Sequence, residues 1–369
     1  VKTGVTVFIM GGCGGVARGP AETGVADSDF APEERAEVQM RDVARALGVS
    51  VSTVSRALSQ PELVSVETLD RVRQMTAQMK YRPNLAAREL RTRATHVLLV
   101  AVPSFSPLFL EVFRGAEQEA VAQGYSVLMA HTGSNADREH VFLDQVLSRR
   151  ADGIALLTTV DPARLASRRP SLPIMVTAFD SIGGTDVPNI GIDNVAGAEA
   201  AVRHLIGLGH RRIAHIGGPP GMAMAADRAQ GFARAIAAAG LEPAHCPVLC
   251  GDFSLPTGEA LMARLLTRYP RPTAVFAAND EIAVGALQAI KRDGLVIGQD
   301  VSVIGFDDLR IGMLYDPPLT TIGFDKVALG RQAIAALIAR IEGRGDAAAA
   351  TLPIVLAVRG TTGPPAEAK

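Results

Sequence analysis

"MRDVARALGVSVSTVSRAL", residues 40–58, decides how the chain is read. Apolar residues recur at helical spacing on both sides of Gly48, which predicts two short helices joined by a tight turn. Ala44, Gly48 and Val54 have the spacing of a helix-turn-helix. Small Ala44 lets the second helix approach, Gly48 takes the turn and Val54 plugs the shared core. Ser50 is placed to cap the second helix. Val51, Ser52, Ser55 and Arg56 are left on or near its outward face. Hydroxyls at a helix N-terminus suit phosphate oxygens, and an arginine there reaches the O6/N7 edge of guanine. An ordinary helical pair with solvated arginines could carry the same triad, so the flanking residues matter. Ser65 opens a third helix reaching Met79, and "YRPNLAARELRTR" (81–93) follows. Residues 39–95 hold ten Lys and Arg against five Asp and Glu, a local net charge of +5 in a chain whose formal net charge is −1. A basic module is therefore hidden in a nearly neutral protein.

Beyond His96 the pattern changes. "HVLLVAVP" (96–103), "YSVLMAH" (125–131), "DGIALLT" (152–158) and "PIMVTAF" (173–179) read as buried parallel strands with helices between them. The alternation begins again with "RRIAHIGG" (211–218), "PVLCGD" (247–252), "TAVFAAND" (273–280) and "VSVIGFDD" (301–308). The fold class expected is a small all-α helix-turn-helix domain followed by an α/β body of two doubly wound parallel-sheet subdomains. Such bodies bind ligands at the carboxyl ends of strands and in the crevice between subdomains. Polar residues at those ends are Asp180, Asn279, Asp280 and Asp307, all able to exchange hydrogen bonds with hydroxyls. Arg228 opens the helix "DRAQGFARAIAAAG", and Phe253 can stack on an apolar sugar face. Asn279 and Asp280 could equally serve as helix caps.

Five ordered blocks carry a resemblance: "VARALGVSVSTVSRAL", "YRPNLAAREL", "LIGLGHRRIAHIGGPPG", "FAANDEIAVGAL" and "DVSVIGFDDL…DPPLTTI". Over residues 38–360 the chain resembles the LacI/GalR family of transcription regulators. The resemblance implies that Val51, Ser52 and Arg56 read bases, and that Thr53 and Ser55 contact phosphates. It also implies that 83–90 folds into a hinge helix on DNA, with Ala87 facing the minor groove and Leu90 as the unstacking wedge. Because Val51 and Ser52 are small, Arg56 carries most of the direct readout. The body becomes periplasmic-binding-protein-like, with Phe109, Asp180, Arg228, Phe253, Asn279 and Asp307 as effector contacts. Ser59 stands where the family usually has Asn. Met222 and Met224 stand where many members place polar contacts, so a sugar is expected while a sugar acid or a nucleoside-like ligand stays open.

The domain expectation is a disordered extension at 1–37, the DNA-binding domain at 38–82, the hinge at 83–94, the effector and dimerisation body at 95–360, and a tail at 361–369. The tail lacks heptads, which predicts a homodimer on near-palindromic operator DNA, acting as an effector-controlled repressor. No cofactor, metal or catalytic residue is expected: the chain has no GxxxxGK[ST], GxSxG or HExxH, and its seven His are scattered. Cys246 and Cys250 read as buried thiols, and His210-Arg211-Arg212 as a cation cluster at a helix end. No apolar run approaches the ~20 residues of a membrane span. "VTVFIMGGCGGVARGP" (5–20) looks like a dinucleotide loop or a lipoprotein site, but Gly19-Pro20 blocks the first and the apolar run is short for the second. The rival from another class is an exported sugar-binding lipoprotein without a DNA role. Residues 39–93 favour the regulator, and with it a cytoplasmic, nucleoid-associated location.

Overall fold

The computed structural model describes residues 8–9, 38–81, 94–158, 161–168, 172–268, 270–344 and 349–366. They divide into two compact units, one ending at Ala94 and one holding residues 8–9 with the chain from Thr95 onward. After strand β1 (Phe8–Ile9), the first unit contributes α1 (Met40–Leu47), α2 (Val51–Ser59) and α3 (Val66–Gln78). Local chemistry sets their ends. The Asp42 carboxylate accepts from the Gln39 amide at 2.9 Å, and Gly48 turns the chain at φ 67°. Ser50 and Ser65 accept from the amides of Thr53 and Thr68 at 3.0 and 3.3 Å, capping α2 and α3. Val43, Ala44, Val54, Ala57, Val72 and Tyr81 form the buried centre of this unit. Arg71 on α3 donates to the Leu47 carbonyl at 3.1 Å, holding the end of α1.

The second unit runs β2 (Val97–Val102), α4 (Pro107–Ala122), β3 (Ser126–His131), α5 (Ala136–Leu147), β4 (Gly153–Leu156), α6 (Pro162–Ser167), β5 (Met175–Ala178) and β6 (Asn189–Ile192). It continues with α7 (Asn194–Gly207), β7 (Ile213–Gly217), α8 (Ala223–Ala238), β8 (Val248–Cys250), α9 (Leu255–Leu266), β9 (Ala274–Ala277) and α10 (Asp280–Arg292). Then come β10 (Ser302–Asp307), α11 (Arg310–Met313), β11 (Thr320–Phe324), α12 (Lys326–Ile341), β12 (Ala350–Leu352) and β13 (Ile354–Ala357). One sheet has the order β1-β3-β2-β4-β5-β6-β12 and is parallel throughout. The other has the order β13-β11-β10-β9-β7-β8, with β13 alone antiparallel. Their central strands are buried on both faces, which is why they read as continuous apolar runs.

The two sheets are not consecutive halves of the chain, as the restart of the pattern suggested. The chain crosses between them three times, at 192–194, 324–326 and 352–354. Asp193 and Asp325 sit at the first two crossings and cap α7 and α12, accepting from the amides of Ala196 and Ala328 at 2.8 Å. Helix α12 thus follows a strand of the second sheet but packs beside α4 on the first. Gly115 and Gly330 allow this: a Cβ on either would lie about 2 Å from a backbone carbonyl of the facing helix. Strands β6, β11, β12 and β13 escaped the sequence reading because they are short and glycine-interrupted, or exposed at an edge.

Four further expectations need correction. Phe8–Ile9, placed in a disordered extension, pair in parallel with Met129 and Ala130 at the otherwise open edge of β3. The tail does not begin at 361: Thr361 is buried, donates to the Val303 carbonyl at 2.7 Å and accepts from the Thr320 amide. His210 is no helix-end cation but a buried ring bonded to Thr273, Ser302 and the Gly363 carbonyl, and burial lowers its pKa. Cys246 is buried as expected, whereas Cys250 is exposed at the edge strand.

Candidate functional site

On α2, burial separates two faces. Val54 and Ala57 turn inward, while Val51 (46% exposed), Ser52 and Arg56 face solvent, and Thr53 and Ser55 lie between. The Ser50 hydroxyl also meets the hydroxyls of Ser52 and Thr53 at 2.7 and 2.8 Å, so the helix start presents a cluster of hydrogen-bonding oxygens. A solvent-facing helix with Arg56 one turn beyond its start can enter a major groove and reach base edges. Ala87 and Leu90 lie outside the described residues.

In the α/β unit a cavity of about 360 Å³ opens at the carboxyl ends of strands from both sheets. The first sheet supplies Ser104, Ser106, Leu108 and Phe109 after β2, with Ser134 after β3. The second supplies Met222, Met224 and Arg228 after β7, then Asp252 and Phe253 after β8. Asn279 and Glu281 follow β9, and Asp307 ends β10. Five of the six expected effector residues therefore meet there. Asp180 is buried (3% exposed) but does not line the cavity.

Arg228 and Asp307 form the floor as an ion pair at 3.0 Å, each side chain 1% exposed. The guanidinium also donates to Asn194 Oδ1 at 2.9 Å and to the Ala278 carbonyl at 2.5 Å, and lies 3.8 Å from the Phe306 ring centre. Asn279 caps α10 through Oδ1 and donates from Nδ2 to the Phe253 carbonyl at 3.2 Å, so its helix-cap role and its place in the cavity coexist. Asp280 is not the cap. It is buried beneath, accepting from Thr321 Oγ1 and the Leu309 amide at 2.6 Å. Burial, then the nearby Asp307 charge, push its carboxyl well above the usual range. Burial also raises Asp307, which Arg228 and Lys326 oppose.

Sequence reasoning missed Asn194, Glu281, Asp252 and Lys326. The Lys326 ammonium donates to the carbonyls of Asp307 and Asp308 at 2.7 and 3.2 Å and lies 3.9 Å from Glu111 on α4. Asp307 and Asp308 have φ of 102° and 51°, a conformation disfavoured for non-glycine residues and held here by that ammonium. The conjunction of a lysine with a strand end eighteen or nineteen residues earlier leaves no mark in periodicity. Among the described residues no helix is long and apolar enough to cross a membrane, and no cluster of three or more His, Cys, Asp or Glu could hold a metal.

Both parts of the chain have matches among known proteins. Residues 39–84 match the model described as bacterial regulatory proteins, lacI family, and residues 202–362 match the periplasmic binding protein-like domain. The chain is 35% identical to the HTH-type transcriptional repressor CytR of Escherichia coli, across 90% of this chain and 98% of that one. It is 36% identical to the ribose operon repressor of Escherichia coli, across 82% and 92%. A crystal structure of the lac repressor dimer bound to operator and the anti-inducer ONPF superposes with a TM-score of 0.79 at 29% identity, covering 88% of this chain and 99% of that one. With a helix-turn-helix, a two-sheet α/β unit and relatives matched over nearly their full length, the chain belongs to the lacI family of bacterial regulatory proteins.

Proposed function

We propose that this protein is a cytoplasmic, non-enzymatic repressor that binds a near-palindromic operator as a homodimer and releases or tightens on it when a small sugar or sugar derivative fills the cavity. The observation that carries this reading is the pairing of two features in one chain. An α2 whose outward face holds Val51, Ser52 and Arg56 accompanies a cavity built from the strand ends of two sheets. The cavity alone would suit a regulator or an exported receptor, and residues 39–84 favour the regulator.

In this reading Val51, Ser52 and Arg56 read base edges, Arg56 carrying most of the readout, with Thr53 and Ser55 on phosphates. Ala87 and Leu90 keep the hinge role implied by the family resemblance. Phe109, Arg228, Phe253, Asn279 and Asp307 contact the effector, whose binding alters the angle between the two sheets at their three crossings. The test is a binding assay on operator and random duplexes with Arg56→Ala. We expect about 1–3 kcal/mol loss on the operator and relaxed preference at one base pair per half-site. Unchanged preference would remove Arg56 as the reader.

A further inference from the structure

We infer that the cavity selects an uncharged, polyhydroxylated effector and rejects phosphorylated or carboxylated ones. The inference rests on the effector-site reading above and narrows it. Arg228 is the sole Lys, Arg or His among the described lining residues. Its charge is already matched inside the protein by Asp307, with both groups out of water. Nε, Nη1 and Nη2 each donate to a protein acceptor, and the Phe306 ring covers one face. An incoming anion would have to displace a buried carboxylate from its partner, which strands one of the two charges.

The other charged side chains of the lining repel an anion. Asp307, Glu281 and Asp252 set three carboxylates against one guanidinium. Asp252 is held in its ionised form by Ser254 and Thr257, which donate to it and lower its pKa. Glu281 is half-buried, with no ion-pair partner among the described residues. Of the helix starts near the cavity, Ser254 caps α9 and Asn279 caps α10, which leaves only α4, opening on Pro107, and α8, following Met222, without a side-chain cap. The acceptors instead match hydroxyl donors, and Phe109, Met222, Met224 and Phe253 match a C–H face or a flat ring. Free monosaccharides and nucleosides share this chemistry.

The test uses matched pairs on the full chain, by thermal shift and calorimetry: ribose, glucose and adenosine, each against its phosphate ester or, for glucose, also its uronic acid. We expect an uncharged member to raise Tm and to bind about tenfold or more tightly than its anionic partner. Glu281→Gln should narrow that gap by strengthening the anion alone. A shift with monosaccharides assigns the hydroxyl-rich floor as the seat, and a shift with adenosine alone assigns the apolar wall to the base. An anion that binds as tightly as its neutral partner, and loses binding in Asp307→Asn or Phe253→Ala, overturns the selection and leaves the effector site standing. Phe253→Ala serves where Asp307→Asn fails to fold. If no member of either class raises Tm, or binding is indifferent to both substitutions, the effector-site reading falls and the selection with it.

Discussion

Asp193, Asp307 and Asp325 end the same pattern, Ile-Gly-(Ile or Phe)-Asp, at 190–193, 304–307 and 322–325. Two of them cap the helices that follow at chain crossings, and the third is diverted into the cavity against Arg228. The difference lies in the next residues and their distant partners. Asp307 and Asp308 adopt left-handed backbone whose carbonyls meet the Lys326 ammonium, whereas Asp193 and Asp325 keep negative φ and lead straight into helix. That Asp307 faces a crevice was legible from its position at a strand end; that its carboxylate is bound to Arg228 was not. His215 shows the same limit. Its ring stacks between Phe232 and Phe276 and bonds the Phe276 carbonyl at 2.9 Å. Burial, with a smaller push from Arg228, takes its pKa down to about 4. The folded state keeps it neutral where the unfolded chain, near ~6.5, takes up a proton. Its contribution is complete above about pH 6.5 and disappears as pH falls toward 4, on the order of 3 kcal/mol across the window. Urea unfolding of wild type and His215→Leu at about pH 7.5 and about pH 4.5 should show their difference changing by about 2–3 kcal/mol, wild type losing more on acidification. Parallel pH profiles would show that His215 does not carry that dependence.

Among the elements, the helices of the first unit were readable because their signals are local. Ser50, Gly48 and Ser65 each act on residues within four positions. The partner of α12 was not readable, because its amphipathic pattern says that one face is buried but not against which sheet. Packing decides that, through Gly115 on α4 and Gly330 on α12. A Cβ at position 330 would lie 1.9 Å from the Val112 carbonyl oxygen, a rigid backbone atom that cannot rotate away. Gly330→Ala should force the two helices apart and cost about 1–3 kcal/mol or more, read as a lower denaturation midpoint. An unchanged midpoint would mean that this close approach is not needed for stability.

Across the whole molecule, the cavity borders both sheets and the chain passes between them at three points. Any ligand that favours one mutual arrangement of the sheets changes the population of that arrangement. If effector alters operator affinity by a factor, typically about 5–150, operator must alter effector affinity by the same factor. Calorimetric titration of effector with and without operator should return the factor found in DNA titrations with and without effector. Unequal factors would indicate a second effector site or titrations away from equilibrium.

The sequence by itself determined the helix-turn-helix, the alternation of buried strands with helices, and five residues that line the cavity out of six expected there. These depend on side-chain period, caps and strand ends, which act over a few residues. Only the tertiary structure decided that the two sheets exchange chain three times, that Asp180 stands away from the cavity, and that Arg228 arrives already paired. Those outcomes depend on partners far apart in sequence, as when Arg228 finds Asp307 across 79 residues. Burial makes such a pairing obligatory, but local sequence does not name the partner.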